Sequence, residues 1–371
     1  MSKPLRQHLK DEWLLLAFTL LALVLALADP HPGTDYRRWL QLPTLAGLLG
    51  LMIAIQGIRD SGLVQHLAGL LVARAHSQRT LGLLLVSITA VLSMVLTNDV
   101  SLFLIVPLTV AAGGISNLPV LRLVILEALA VNAGSTLSPI GNPQNLLVWQ
   151  YLHLPFLQFV RAMLPTAATM FALVALLTWC WLPRGRVELR AEQVDGHAVS
   201  ATQAVLSTVA LAMMVLMMEH GHAEIGALLL LVSFAVFDWR LLAQLDWLLL
   251  ATFAAIFVGL GHFAELAWVN RMMDAVSLDH PLHLYASGIL ASQAISNVPA
   301  TVLLLGRAPD AMALAVAVNV GGFGVAIGSL ANLIALRLAK QPQGLRLFHR
   351  VSIPFLLVCA PLVYLVTRWL S

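Results

Sequence analysis

Asp99 follows Thr97 and Asn98 in the middle of an apolar run, where a carboxylate is costly unless it meets a proton, a cation or a partner. Hydroxyl, amide and carboxylate on three consecutive residues supply oxygens for a dehydrated small cation. A proton or sodium site is therefore expected near Asn98 and Asp99, with capping of the following helix as the alternative role for Asp99. Ser296-Asn297-Val298 repeats the pattern inside a later apolar run but places Val298 where Asp99 stands. Its neutral oxygens and amide donors suit a ligand held at helix ends, or simply a backbone turn. One acidic and one neutral site is the natural reading.

A second pair of polar stretches surrounds this chemistry. Residues 131–148, VNAGSTLSPIGNPQNLLV, set prolines, glycines, amides and hydroxyls between apolar runs. Pro139 and Pro143 each remove a backbone donor, and Gly134 and Gly141 relax the backbone, so a helix that breaks and restarts is expected. In a membrane such backbone is tolerated only inside protein or along a watery cavity, which makes the break a site. Residues 318–335, VNVGGFGVAIGSLANLIA, align without a gap, placing Asn132 on Asn319, Gly134 on Gly321, Gly141 on Gly328 and Asn145 on Asn332. Asn132, Ser135, Thr136, Ser138, Asn142 and Asn145, with Asn319, Gly321, Ser329 and Asn332, are expected to form facing walls. The glycines let a ligand approach the backbone.

Two further acids stand out. Glu127, in VILEALAVN, is read as a second proton-coupling candidate or as an internal partner for a basic group. His262 and Glu265, one turn apart near a helix end, are expected to face the membrane interface. No lysine, and no arginine clearly at the midplane, is present to neutralise a dianion, which favours a neutral, monoanionic or cationic substrate.

The elements that must hold these residues follow from composition. Of 371 residues 60% are hydrophobic and 11% charged, and the mean hydropathy is +0.88. The chain reads as an all-α polytopic membrane protein whose surroundings are lipid. A net charge of +3 carried in short loops reflects orientation in the bilayer, and no nucleic-acid patch is seen. Cys180 and Cys359, both in apolar runs, suggest neither disulfide nor zinc.

In chain order, the first span is placed at 12–28. Lys3, Arg6 and Lys10 before it mimic a cleavable signal, but removing this helix would spoil the symmetry described next. The second span is placed at 39–58, followed by a cytoplasmic segment at 59–79. A re-entrant hairpin is expected at 81–112, because about 14 residues on either side of its break are short for two spans. A broken helix at 120–153 and a span at 163–182 complete the unit, and Arg184, Arg186 and Arg190 then lie inside. Spans at 202–218, 223–237 and 246–262 follow. A second hairpin at 282–305, a second broken helix at 310–338 and a last span at 353–370 close the chain.

This gives two repeats, 1–182 and 223–371, with a loop and linking span at 183–222. An odd linking span inverts the second repeat. The expected fold has about nine full spans plus two hairpins, with the amino terminus cytoplasmic and the carboxyl terminus outside. Substrate would sit where hairpin tips and helix breaks converge.

TNDVSLFLIVPL at 97–108, SPIGNPQN at 138–145, SNVPATVLLL at 296–305 and IGSLANLIA at 327–335 together resemble the ion transporter superfamily. The closer likeness is to the permeases that include arsenite efflux pumps and sodium/proton antiporters, related to citrate and dicarboxylate carriers. The resemblance covers essentially the whole chain. It implies a homodimer in the plasma membrane, the inner membrane of a bacterium, with a scaffold and a moving transport domain. It does not imply a substrate, since members carry arsenite, sodium, carboxylates or inorganic oxyanions on one scaffold; the leading expectation is secondary active transport of a small anion or metalloid oxyanion by alternating access, coupled to protons or sodium, without other cofactors. Sodium/proton antiport is the alternative and a passive channel a remote one. An intramembrane enzyme is disfavoured by the lack of HExxH or of GxSxG with a partner histidine, and no Walker motif is present.

Overall fold

A computed structural model describes residues 13–74, 77–188, 199–274, 276–341 and 343–370. The basic residues Lys3, Arg6, Lys10 and Arg190 lie outside them. Among the described residues the chain forms nineteen α-helices and no strand. The first part comprises α1 (Trp13–Ala28), α2 (Gly33–Trp39), α3 (Leu42–Asp60), α4 (Leu63–Arg74), α5 (Gln78–Val95) and α6 (Asn98–Gly114). It continues with α7 (Val120–Ser135), α8 (Pro143–Leu152) and α9 (Phe156–Trp181). Next come α10 (Ala201–Glu219), α11 (Ala223–Phe237), α12 (Trp239–Ala243), α13 (Trp247–Glu265) and α14 (Ala267–Asp274). The last part has α15 (Pro281–Ile295), α16 (Asn297–Leu305), α17 (Ala311–Val320), α18 (Leu330–Ala339) and α19 (Gly344–Leu370).

These helices form two compact units, neither contiguous in sequence. The first joins residues up to Leu63 with 199–275, the second joins 64–198 with 276–371. In the first unit α3 packs on α10 and α11, and α1 packs on α13. Glycines make the close approach possible: a Cβ at Gly50 would overlap the Met214 side chain, and one at Gly57 would overlap Ser207. His262 is fully buried in this unit with its ring stacked on Trp39, so it does not face the membrane interface as expected. Glu265 is partly exposed and holds Arg38 and the Trp39 indole N–H.

The second unit contains both hairpins and both broken helices. The outgoing arm of each hairpin packs on the broken helix that follows it, α5 on α7 and α15 on α17. Each returning arm crosses to the other half, α6 onto α18 and α16 onto α8. The breaks fall where the sequence places them. Leu96 is extended and Thr97 caps α6 by accepting from Val100 N–H, while Asn142 caps α8 by accepting from Asn145 N–H with Pro143 in the first turn. In the second half Ser296 turns the chain at φ 72°, and a short 3₁₀ turn, Ala326–Gly328, lies between α17 and α18.

Some boundaries differ from the sequence reading. The arms of the first hairpin have 18 and 17 residues rather than about 14, because Ser77 caps α5 early and α6 runs through Pro107. Helix α5 is itself long and apolar enough to cross a membrane, so arm length no longer separates re-entry from crossing in that half. The second hairpin keeps short arms of 15 and 9 residues. The segment at 59–79 contains the helix α4, and the last helix starts at Gly344, with Arg346 and Arg350 in its first turns. Among the described residues six helices have the length and composition to cross a membrane: α3, α5, α9, α10, α13 and α19.

Candidate functional site

The two helix breaks meet in the second unit through their amides. Asn132, on the last turns of α7, donates from Nδ2 to Asn332 Oδ1 at 2.9 Å. Asn319, at the matching place on α17, donates from Nδ2 to Asn145 Oδ1 at 2.6 Å. Each asparagine therefore binds the partner of its own counterpart. The secondary bonds follow the same exchange: Asn132 and Asn319 also donate to the carbonyls one turn back, Ala128 and Ala315. Asn145 donates to the carbonyls of Ser135, Thr136 and Ser138, and Asn332 to that of Gly322, the counterpart of Ser135. Backbone carbonyls left open by the breaks thus find partners in side-chain amides, as buried backbone requires.

Asn319 is the hub of the network. Its Oδ1 accepts from Asn142 Nδ2 at 2.9 Å, Thr136 Oγ1 at 3.2 Å and Gln144 Nε2 at 3.3 Å. Asn142 also donates to Ser135 Oγ. Every one of these side chains is buried. Asn132, Ser135, Thr136, Asn142, Asn145, Asn319 and Asn332 are therefore brought together as one wall rather than as two separated faces.

The glycines serve close packing between hairpin and break. A Cβ on Gly134 would overlap the Ala90 carbonyl and Ser93, and one on Gly321 would sit 2.6 Å from the Ser292 Cβ. Gly141 offers its carbonyl to Asn98 N–H at 2.9 Å, tying the first hairpin tip to the first break. Gly328 packs against the Gly321 carbonyl and Gln293, whose Nε2 donates to the carbonyls of Gly321 and Phe323. Gln293 and Gln144 were not singled out in the sequence. Gln144 lay inside the quoted SPIGNPQN motif, and Gln293 lies one turn before Asn297, which was the available signal.

The two halves differ in their helix starts. Thr97 and Asn142 cap α6 and α8 with side-chain oxygens. Their counterparts Ser296 and Ser329 make no such cap, so α16 and α18 begin without side-chain acceptors. Ser329 Oγ, Asn297 Nδ2, Ser138 Oγ and Gln144 Oε1 are buried and have no hydrogen-bond partner among the described residues. Such unmet groups cost about 1–3 kcal/mol each and are characteristic of surfaces that bind something else.

Asp99 does not cap its helix, because Thr97 does. Its side chain is half-buried and no hydrogen bond reaches its carboxylate among the described residues. Glu127 lies apart from the amide network, fully buried, with Thr109 Oγ1 donating to Oε1 and no partner for Oε2. Its internal partner is a hydroxyl, not the basic group considered from sequence.

Comparison with known proteins gives the family of the chain. The family model described as a citrate transporter matches residues 11–311. The inner membrane protein YbiR of Escherichia coli is 36% identical over 370 residues, covering 98% of both chains. An uncharacterized transporter of Methanocaldococcus jannaschii, MJ0456, is 29% identical over 333 residues, 89% of this chain and 90% of its own. The silicon efflux transporter LSI3 of rice is 28% identical over 161 residues, 43% of this chain and 32% of its own. The chain belongs to the citrate transporter family, within the ion transporter superfamily, and is an integral membrane transporter rather than an enzyme.

Proposed function

We propose that this protein is a secondary active transporter that moves a small anion or metalloid oxyanion across the plasma membrane by alternating access, coupled to protons or sodium. The carrying observation is the asymmetry between the two halves of the second unit. Its second half presents helix starts without side-chain caps and orphaned donors at Asn297 and Ser329, which is where an oxyanion gains most from N–H and O–H groups. Its first half presents Asp99 with no partner for its carboxylate among the described residues, suited to a proton or to Na⁺ beside Asn98. Substrate and coupling ion are thereby assigned to different halves.

The crossed asparagine pairs support two inverted repeats, since a two-fold relation between the breaks would exchange Asn132 with Asn319 and Asn145 with Asn332. The division of the chain into a unit with both hairpins and a unit without them supports an elevator mechanism, the hairpin-bearing unit moving and the other serving as scaffold of a homodimer. About nine spans with the amino terminus inside and the carboxyl terminus outside remain our topology. Amides and hydroxyls fit a neutral or singly charged hydroxylated acid better than a dianion, and the rice silicon efflux relative points the same way. The family description keeps carboxylates in the substrate panel.

Asp99 also favours a second reading, sodium/proton antiport. Proteoliposomes carrying an internal pH dye separate the two. Proton flux is expected only when one of arsenite, silicate, phosphate, sulfate, citrate or succinate is supplied. Flux on adding Na⁺ or Li⁺ alone, abolished by Asp99→Asn, would replace our reading by antiport.

A further inference from the structure

The first unit contains a cluster of ligand-type side chains that lies outside the proposed transport site. Asp29 and His31 lie on the turn between α1 and α2, and His262 on the last turns of α13. One ligand atom from each of the three falls within 4.8 Å of the others. Asp29 Oδ2 lies 3.5 Å from His31 Nε2 and 3.9 Å from His262 Nε2. Ligand atoms around a tetrahedral zinc are about 3.3 Å apart, given metal–ligand bonds near 2.0–2.2 Å. The two carboxylate–imidazole separations of 3.5 and 3.9 Å lie near that spacing, and the widest separation in the group, up to 4.8 Å, would have to close on loading.

Three independent observations point to a ligand. His262 is fully buried with its Nε2 3.9 Å from Asp29 Oδ2, and among the described residues neither ring nitrogen makes a hydrogen bond of normal length. That is an unfavourable state for an imidazole unless something else approaches it. His31 uses Nδ1 for Asp35 Oδ2 at 3.0 Å, which leaves Nε2 as the nitrogen facing Asp29. A carboxylate behind a histidine in this manner orients metal-binding imidazoles. The Trp39 ring, stacked on His262 at 4.6 Å, fixes the plane of the buried imidazole. Arg38 is engaged by Glu265 rather than by Asp29. The Asp29 side chain is 49% exposed, giving an ion a way in.

We propose that Asp29, His31 and His262 form a binding site for one divalent transition-metal ion of the zinc class, clamping the α1–α2 turn to the end of α13. Two imidazoles and a carboxylate are borderline ligands that suit Zn²⁺, and a fourth position is left for water or another ligand. Bound metal would stabilise the folded first unit by mass action.

The test uses the full-length protein purified in detergent and stripped with a chelator. Co²⁺ is titrated while its visible absorption is followed, and Zn²⁺ is added in a thermal-unfolding assay. We expect one Co²⁺ per chain with a tetrahedral spectrum and a rise in Tm with Zn²⁺. Asp29→Asn and His31→Gln, both at partly exposed positions, should weaken affinity by at least about tenfold and abolish most of the rise in Tm on adding Zn²⁺, each variant compared with its own metal-free Tm. Asp35→Asn should weaken it less than either. No uptake by the wild type would overturn the site, and so would uptake equally strong after His31→Gln, which would place the binding on exposed histidines.

Discussion

Asn132 and Asn332, 200 residues apart in the chain, share a 2.9 Å hydrogen bond, and the counterparts Asn319 and Asn145 share one of 2.6 Å. Two helix breaks are thereby cross-linked by the residues that the internal repeat equates. The second break also holds Ser329, one of the two orphaned donors assigned to substrate, so the network that satisfies the backbone borders the proposed site.

Asn319→Ala tests that network. It removes the acceptor of Asn142, Thr136 and Gln144 and the donor to Asn145 in one change. Buried groups left unmet cost about 1–3 kcal/mol each, so a loss of several kcal/mol is expected. Thermal unfolding in detergent should show a drop in Tm far larger than for Ser138→Ala, whose hydroxyl has no partner. Equal drops would mean that the network is not what holds the breaks.

Gly134→Ala and Gly321→Ala should differ in severity. The added methyl at 134 meets a backbone carbonyl, that of Ala90, which cannot turn aside. At 321 it meets the Ser292 side chain. Overpacking costs about 1–3 kcal/mol, and we expect Gly134→Ala at the upper end with transport lost. Gly321→Ala should recover flux when combined with Ser292→Gly. Failure of that pair to recover would place the constraint on the backbone of the break instead.

Thr97→Ala and Asp99→Asn should separate stability from coupling. Thr97 caps α6, and losing a cap costs about 1 kcal/mol. Asp99 has no partner among the described residues, so Asp99→Asn should leave Tm almost unchanged while abolishing gradient-driven uptake and preserving substrate counterflow. Retained uptake against a gradient would remove Asp99 from the coupling mechanism.

Glu127→Gln keeps an acceptor for Thr109 and removes a proton-binding carboxylate. Folding should be preserved, and the dependence of flux on pH should flatten if Glu127 relays protons. An unchanged pH profile would make the Glu127–Thr109 pair structural.

Much of this was legible in the chain itself. Pro139, Pro143 and Gly141 dictate a break because they remove donors and relax the backbone, and the ungapped alignment of 131–148 with 318–335 identifies its copy. The caps at Thr97 and Asn142 were not legible, since the sequence offers Asp99 as the cap candidate and both residues read as site oxygens. Helix lengths were less legible, since the α5 start depends on Ser77 and the persistence of α6 through Pro107 depends on its packed neighbours. Composition determined that the chain lives in a membrane, and periodic polar motifs determined where its helices fail. The tertiary structure alone decided which amide meets which, that Asn319 is the hub, that Ser296 and Ser329 leave their helices uncapped, and that His262 is buried beside Asp29 and His31. The physical reason is that a hydrogen bond or a ligand set forms between atoms a few ångströms apart. Residues as far apart in sequence as Asn145 and Asn319 reach that distance only when helices have packed.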